Sequence, residues 1–195
     1  MITENILAAL TLAAFIIWVK CDGNIAFPDF PEKAPDITKF YTTNATILIM
    51  RTTKRKITCK VDKVANATNT SVFFDRSYCI GQQWVNKTLE GTFTAVSVFV
   101  NGTFDAMIVH PPRIMGQRIE QLLYADPGYN CGVFKVFLQP TSGNIRLRAI
   151  YELRVRHSYD RPYDSKCLVI FRKYAENNYV DAYLPTCNSN DVICK

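Results

Sequence analysis

Glu152 and Arg154 stand two residues apart in the run Ile150–Arg156, "IYELRVR", where charged and apolar side chains alternate without a break. On a strand, such neighbours share a face. A carboxylate there either meets water or looks inward, where it holds a cation or is neutralised by its arginine neighbour. By pattern alone Arg146, Arg148, Glu152, Arg154 and Arg156 fall on one solvated face, while Tyr151, Leu153 and Val155 pack. Catalytic groupings are missing from the sequence. The two histidines, His110 beside Pro111-Pro112 and His157 after the same run, adjoin no Ser or Cys in a nucleophile motif. With no G-x-S-x-G, H-E-x-x-H or Gly-rich phosphate loop, the chain reads as a binding protein and not an enzyme, and no cofactor is implied.

Cysteine chemistry points to an oxidising compartment. Residues 6–19 are apolar or small apart from Thr11 and stop at Lys20, before Asp22-Gly23-Asn24. That run is shorter than the roughly 20 apolar residues of a membrane span, so it reads as a signal peptide over residues 1–21, cleaved as late as 23, with no membrane anchor. Residues 22–195 then form a single secreted, extracellular domain. Of the seven cysteines, cleavage removes Cys21 and leaves Cys59, Cys79, Cys131, Cys167, Cys187 and Cys194. An even set in a secreted chain is a disulfide framework, whose connectivity spacing alone leaves open. No C-x-x-C pair suggests a metal site. Glycosylation sequons at Asn44, Asn66, Asn69, Asn86 and Asn101 agree with secretion. The net charge of +6 is scattered, which argues against a nucleic-acid partner.

These residues need a β framework. A Pro-rich lead-in and a helical turn over 36–41 precede short runs rich in Val, Ile, Phe, Tyr and Thr, at 46–50, 56–61, 71–75, 93–100, 103–109, 118–124, 132–138 and 150–156. Asn101-Gly102 is the strongest signal for a two-residue hairpin turn. The period then changes: residues 164–178 place Leu168, Phe171 and Ala175 at helical spacing behind an Asp164-Ser165 cap. The expected fold is all-β, an eight-stranded antiparallel up-and-down barrel with a C-terminal α-helix packed outside; a β-sandwich is the alternative.

The C-terminal third carries a resemblance. "YADPGYNCGVFKV" (124–136), "YELRV" (151–155), "KCLVIFRKYA" (166–175) and "PTC" (185–187) are similar in order and spacing to the salivary lipocalins of ticks, including the histamine-binding proteins. Upstream, residues 36–61 resemble the family's opening helix and first two strands, although the general G-x-W signature is missing. The family pattern implies Cys59–Cys187 and Cys131–Cys167 bridges, and with them Cys79–Cys194. It also places Glu152 inward on the last barrel strand, opposite to the pattern reading.

The resemblance further bears on the ligand. The acids of the family's main amine site are replaced by the basic loop Thr52-Thr53-Lys54-Arg55 and by Gly91. A second site keeps Glu120 and Glu152 but has Gly132 at one acid position and Arg154 in place of an aromatic. The implied lining is Phe93, Phe99, Phe104, Ile108, Leu122, Tyr124 and Phe134, with Glu120, Glu152 and Arg154 as the polar members. Lost amine-site acids, a third cysteine pair and several sequons are closest to the japanin-like branch. That branch implies a small hydrophobic ligand, a sterol such as cholesterol or a fatty acid, and modulation of host immune cells such as dendritic cells. The alternatives are a scavenger of biogenic amines such as histamine or serotonin, and a protein antagonist acting through its surface.

Overall fold

The computed structural model describes residues 34–97, 102–112, 118–138, 149–157, 164–188 and 194. The expected signal segment lies outside them, as do Phe99, Asn101, Arg146 and Arg148. The first element among the described residues is helix α1 (Ile37–Phe40), capped by Asp36, whose carboxylate accepts from the Thr38 amide at 3.1 Å and its hydroxyl at 2.7 Å. Eight antiparallel strands follow: β1 (Thr46–Thr52), β2 (Ile57–Ala67), β3 (Ser71–Ile80), β4 (Gln83–Thr94), β5 (Ala106–His110), β6 (Arg118–Ala125), β7 (Cys131–Leu138) and β8 (Ile150–Arg156). Each pairs with the next, and β1 pairs with both β2 and β8, so the sheet closes into the expected barrel. A short ninth strand, β9 (Val180–Asp181), adds to β1 at Arg51 and Thr52.

One part of the strand pattern differs from expectation. Among the described residues of the run 93–100, only Phe93 and Thr94 belong to a strand, and that strand begins already at Gln83. The first half of β4 is largely exposed, so nothing selected an apolar alternation that would reveal it. Asn101 of the expected Asn101-Gly102 turn lies outside the described residues, and the last ladder pair of β4 and β5 is Thr94 with Ala106. The longer connection is organised by buried Asp105, which accepts from the Val96 amide at 2.7 Å, the Ser97 hydroxyl at 2.6 Å and Gln121 Nε2 at 2.8 Å. A tight turn lies at Gly81-Gln82, between the paired Ile80 and Gln83, with Gly81 at φ +60°.

Helix α2 (Ser165–Ala175) covers the outside of β6, β7 and β8. Asp164 caps it by accepting from the Lys166 amide at 2.8 Å, and Glu176 ends it in the left-handed region at φ +49°. Its buried face, Cys167, Phe171 and Ala175, packs on Leu153, Val155 and Tyr151 of β8 and on Val133 of β7. The three bridges are Cys59–Cys187, Cys79–Cys194 and Cys131–Cys167, the pairs that the family pattern implies. Cys131–Cys167 staples α2 to β7, whereas the other two fasten the C-terminal segment, including a 3-10 turn at Pro185–Asn188, to β2 and β3. Asn44, Asn66, Asn69 and Asn86 are exposed.

Candidate functional site

Side chains two residues apart on a strand share a face, and several strands change character at one height inside this barrel. β2 steps from Val64 to Asp62 and Lys60, β3 from Phe74 to Arg76, and β6 from Leu122 to Glu120; β8 adds Arg154 and Glu152. Below that height, α1 and the following Tyr41 plug one end. Phe40 and Tyr41 pack there with Phe74, Phe93, Leu122 and Phe134, and Phe134 lies 5.1 Å from Phe40 and 6.2 Å from Tyr41 between ring centroids. The plug is fixed by the Ile37 amide, which donates to the Phe104 carbonyl at 2.8 Å.

Above the apolar end lies a layer of six buried ionic side chains, three acids and three bases. Arg76 grips Asp62 with Nε at 2.6 Å and Nη2 at 2.7 Å, and grips Glu120 with Nη1 at 2.7 Å and Nη2 at 3.1 Å. Arg154 reaches Glu120 Oε2 with Nη1 at 2.6 Å and Glu152 Oε2 with Nη2 at 2.6 Å. Lys60 Nζ meets the other Glu152 oxygen at 2.6 Å. Tyr41 joins the layer to α1: its hydroxyl donates to Asp62 at 2.8 Å and accepts from Arg154 at 2.6 Å. The guanidiniums rest on the rings beneath, Arg76 over Phe74 at 5.1 Å and Arg154 over Phe134 at 4.2 Å.

Charges this deep are strongly unfavourable unless every one is paired, and here the pairing is complete. Burial opposes ionisation of Glu152, but Lys60 and Arg154 outweigh it and hold the carboxyl down to about 2. Burial likewise opposes ionisation of Glu120, and Arg154 and Arg76 hold it well below the usual carboxylate range. Lys60 is lowered to about 8, first by burial and then by repulsion from Arg76, with Glu152 pulling the other way. The two partners differ because Glu152 faces two cations, while Lys60 faces one carboxylate and nearby guanidiniums. A carboxyl lowered from 4.5 to about 2 contributes roughly 3 kcal/mol of stability above pH 4.5. That contribution is lost as pH falls through the same window. Circular dichroism against pH should therefore show unfolding beginning below pH 4.5, with a shallower acid slope in Glu152→Gln.

Of the residues expected to line a pocket, Glu120, Glu152 and Arg154 come together in the charged layer, with both glutamates neutralised. Phe93, Leu122 and Phe134 face inward but lie in the plugged apolar end, and Phe104 packs at its edge, stacked on Phe93 at 6.3 Å. Ile108 and Tyr124 do not face the interior. On β5 the inward side chains are Met107 and Val109. On β6 a bulge between Leu122 and Tyr124 reverses the alternation, so that Ala125 turns inward and Tyr124 lies against the α2 side. Phe99 lies outside the described residues. At Gly91 and Gly132, where the tick-lipocalin resemblance implies acids, a side chain would have to displace its neighbours. A Cβ at Gly91 would sit 2.8 Å from Met107 Sδ, and one at Gly132 would sit 2.8 Å from Leu122 Cδ1.

Sequence reasoning missed Tyr41, Lys60, Asp62 and Arg76. The available signal was Lys60, Asp62 and Val64 at period two, but exposed Lys63 between them makes both faces of β2 look charged. Beyond the layer, away from α1, the inner face continues. Tyr78 follows Arg76 by two, Val85 and Lys87 are the cross-strand partners of Tyr78 and Arg76, and Arg118 and Val136 lie on the same side as Glu120. Solvent reaches this part: Lys87 is exposed and Arg118 is 33% exposed.

No family model and no curated protein matches the chain. Solved structures do resemble it in fold. Lobster apocrustacyanin A1 superposes with a TM-score of 0.50 at 9% identity, covering 74% of this chain and 77% of that one. The allergen Per a 4 from cockroaches gives a TM-score of 0.50 at 13% identity, covering 78% of this chain and 90% of that one. Apocrustacyanin C2 gives 0.50 at 10% identity over 74% and 78% of the two chains. The barrel and its external helix have the architecture of these lipocalins.

Proposed function

We propose that this chain is an extracellular lipocalin-type carrier that takes a small hydrophobic ligand at the barrel end opposite α1. The observation that carries the reading is the contrast between the two ends. Side chains below the charged layer are packed to near-zero exposure, whereas the inner face above it combines Tyr78, Val85 and Val136 with solvent-reached Lys87 and Arg118. Burying an apolar ligand surface there supplies about 25 cal/mol per Å². The two bases on the same face favour a fatty acid carboxylate over a neutral sterol. The sterol, secretion through the signal peptide, glycosylation, and a host immune-cell component such as that of dendritic cells are the finer form implied by the tick-lipocalin resemblance. Three disulfides support the extracellular setting. Amine scavenging is disfavoured, because each of Asp62, Glu120 and Glu152 already has a basic partner.

Native mass spectrometry and thermal shifts with oleate, cholesterol and histamine test the reading. Oleate is expected to form a one-to-one complex and raise the unfolding temperature, and histamine to do neither. A stoichiometric histamine complex would overturn the proposal; a barrel that takes up none of the three would favour action through the outer surface.

A further inference from the structure

Lys60 differs from the other two bases of the layer. Arg76 and Arg154 each hold two carboxylates through several N–H groups and rest on aromatic rings. Lys60 has one ion pair, Nζ to Glu152 Oε1 at 2.6 Å, at the tip of a flexible stem. The stem starts on β2 and passes over β1 to reach β8, since β1 lies between the two strands. Glu152 is oriented without it, because Arg154 donates to Oε2 through Nε at 3.0 Å and Nη2 at 2.6 Å. The layer is neutral only when Lys60 is counted. Without that ammonium, two guanidiniums face three carboxylates, and one negative charge is left buried at an oxygen already aimed into the slot the stem had filled.

A buried, oriented carboxylate with an excess negative charge is a receptor for a primary ammonium. We propose that Glu152, held by Arg154, is an ammonium-binding subsite whose resident occupant is the Lys60 side chain, and that Lys60 is the residue that keeps free primary amines out of the barrel. The inference stands apart from which hydrophobic ligand the other end of the barrel carries, and it turns on selectivity among cations.

Lys60→Ala removes the propyl stem and ammonium beyond Cβ, so propylammonium is the matching probe, with 1-propanol as its neutral counterpart. At pH 7, titration calorimetry should show saturable propylammonium binding to Lys60→Ala, at least about tenfold tighter than 1-propanol. The wild type should bind neither. Adding Glu152→Gln to Lys60→Ala should abolish the preference for the ammonium. A folded Lys60→Ala with no preference, a preference that persists in the double variant, or stoichiometric uptake by the wild type would each overturn the proposal. Where Lys60→Ala does not fold alone, refolding from urea reads the same site. Native near-ultraviolet dichroism should return with propylammonium and not with 1-propanol, and equal yields in the two solutes would count against the subsite.

Discussion

Arg76→Met is expected to destabilise the barrel by about 3–5 kcal/mol, visible as a lower urea midpoint with an unchanged slope. Arg76 is 2% exposed and contacts both oxygens of Asp62 and of Glu120, so its removal leaves a net negative charge within the layer. Burial alone would lower the pKa of this guanidinium, yet Asp62 and Glu120 raise it well above its ordinary value. The comparison that isolates charge is Asp62→Asn with Arg76→Met. That double variant restores the balance of Lys60 and Arg154 against Glu120 and Glu152, so it should be more stable than Arg76→Met alone by at least about 1 kcal/mol. Arg118 reaches the same Glu120 from 3.9 Å in solvent-reached surroundings, so Arg118→Met should change stability by less than about 1 kcal/mol. Equal losses for Arg76→Met and Arg118→Met would show that the layer does not bear on folding.

Removing both bridges that fasten the C-terminal segment should have a still larger effect. In the chain-entropy treatment, Cys59–Cys187, with a separation of 128, restricts the unfolded chain by about 5 kcal/mol. The second bridge then closes a much shorter circuit, through the twenty residues from Cys59 to Cys79 and the seven from Cys187 to Cys194. It adds about 3–4 kcal/mol. Replacing either pair alone by serine should therefore lose about 3–4 kcal/mol, since the remaining bridge still closes the long loop. Replacing both should lose about 8–9 kcal/mol, comparable with the whole stability of a domain this size. Guanidinium unfolding of the single-pair and double-pair variants checks the non-additivity, and peptide mapping without reduction should link Cys59 with Cys187. A Cys59 to Cys79 link would contradict the framework.

The architecture was largely legible because its periods are strong. Phe171 and Ala175 mark α2 at helical spacing behind the Asp164 cap, and runs such as 46–50 and 118–124 mark strands by β-branched and aromatic content. β4 was not legible over its first half, because a strand open to solvent on both faces needs no alternation. The orientation of β6 near Tyr124 was also hidden. A bulge inserts one residue into the count, and nothing in "LLYA" announces it. For the site, Glu120, Glu152 and Arg154 came from resemblance, while Lys60, Asp62 and Arg76 carry no local mark that separates a buried charge from a solvated one.

Sequence alone determined the alternation in "IYELRVR": Glu152 and Arg154 had to share one face, and Leu153 and Val155 the other, because a strand repeats every two residues. Which face looks into the barrel was decided only by tertiary structure. Helix α2 packs outside β8 and takes up Leu153 and Val155, so the apolar face turns outward and is buried all the same. The charged face turns inward and is tolerated because β2, β3 and β6 bring Lys60, Asp62, Arg76 and Glu120 to the same height. Neutrality of that layer is a property of six side chains on four strands. No single strand contains it, and so neither the pattern of one strand nor its composition can state whether Glu152 is available to a ligand.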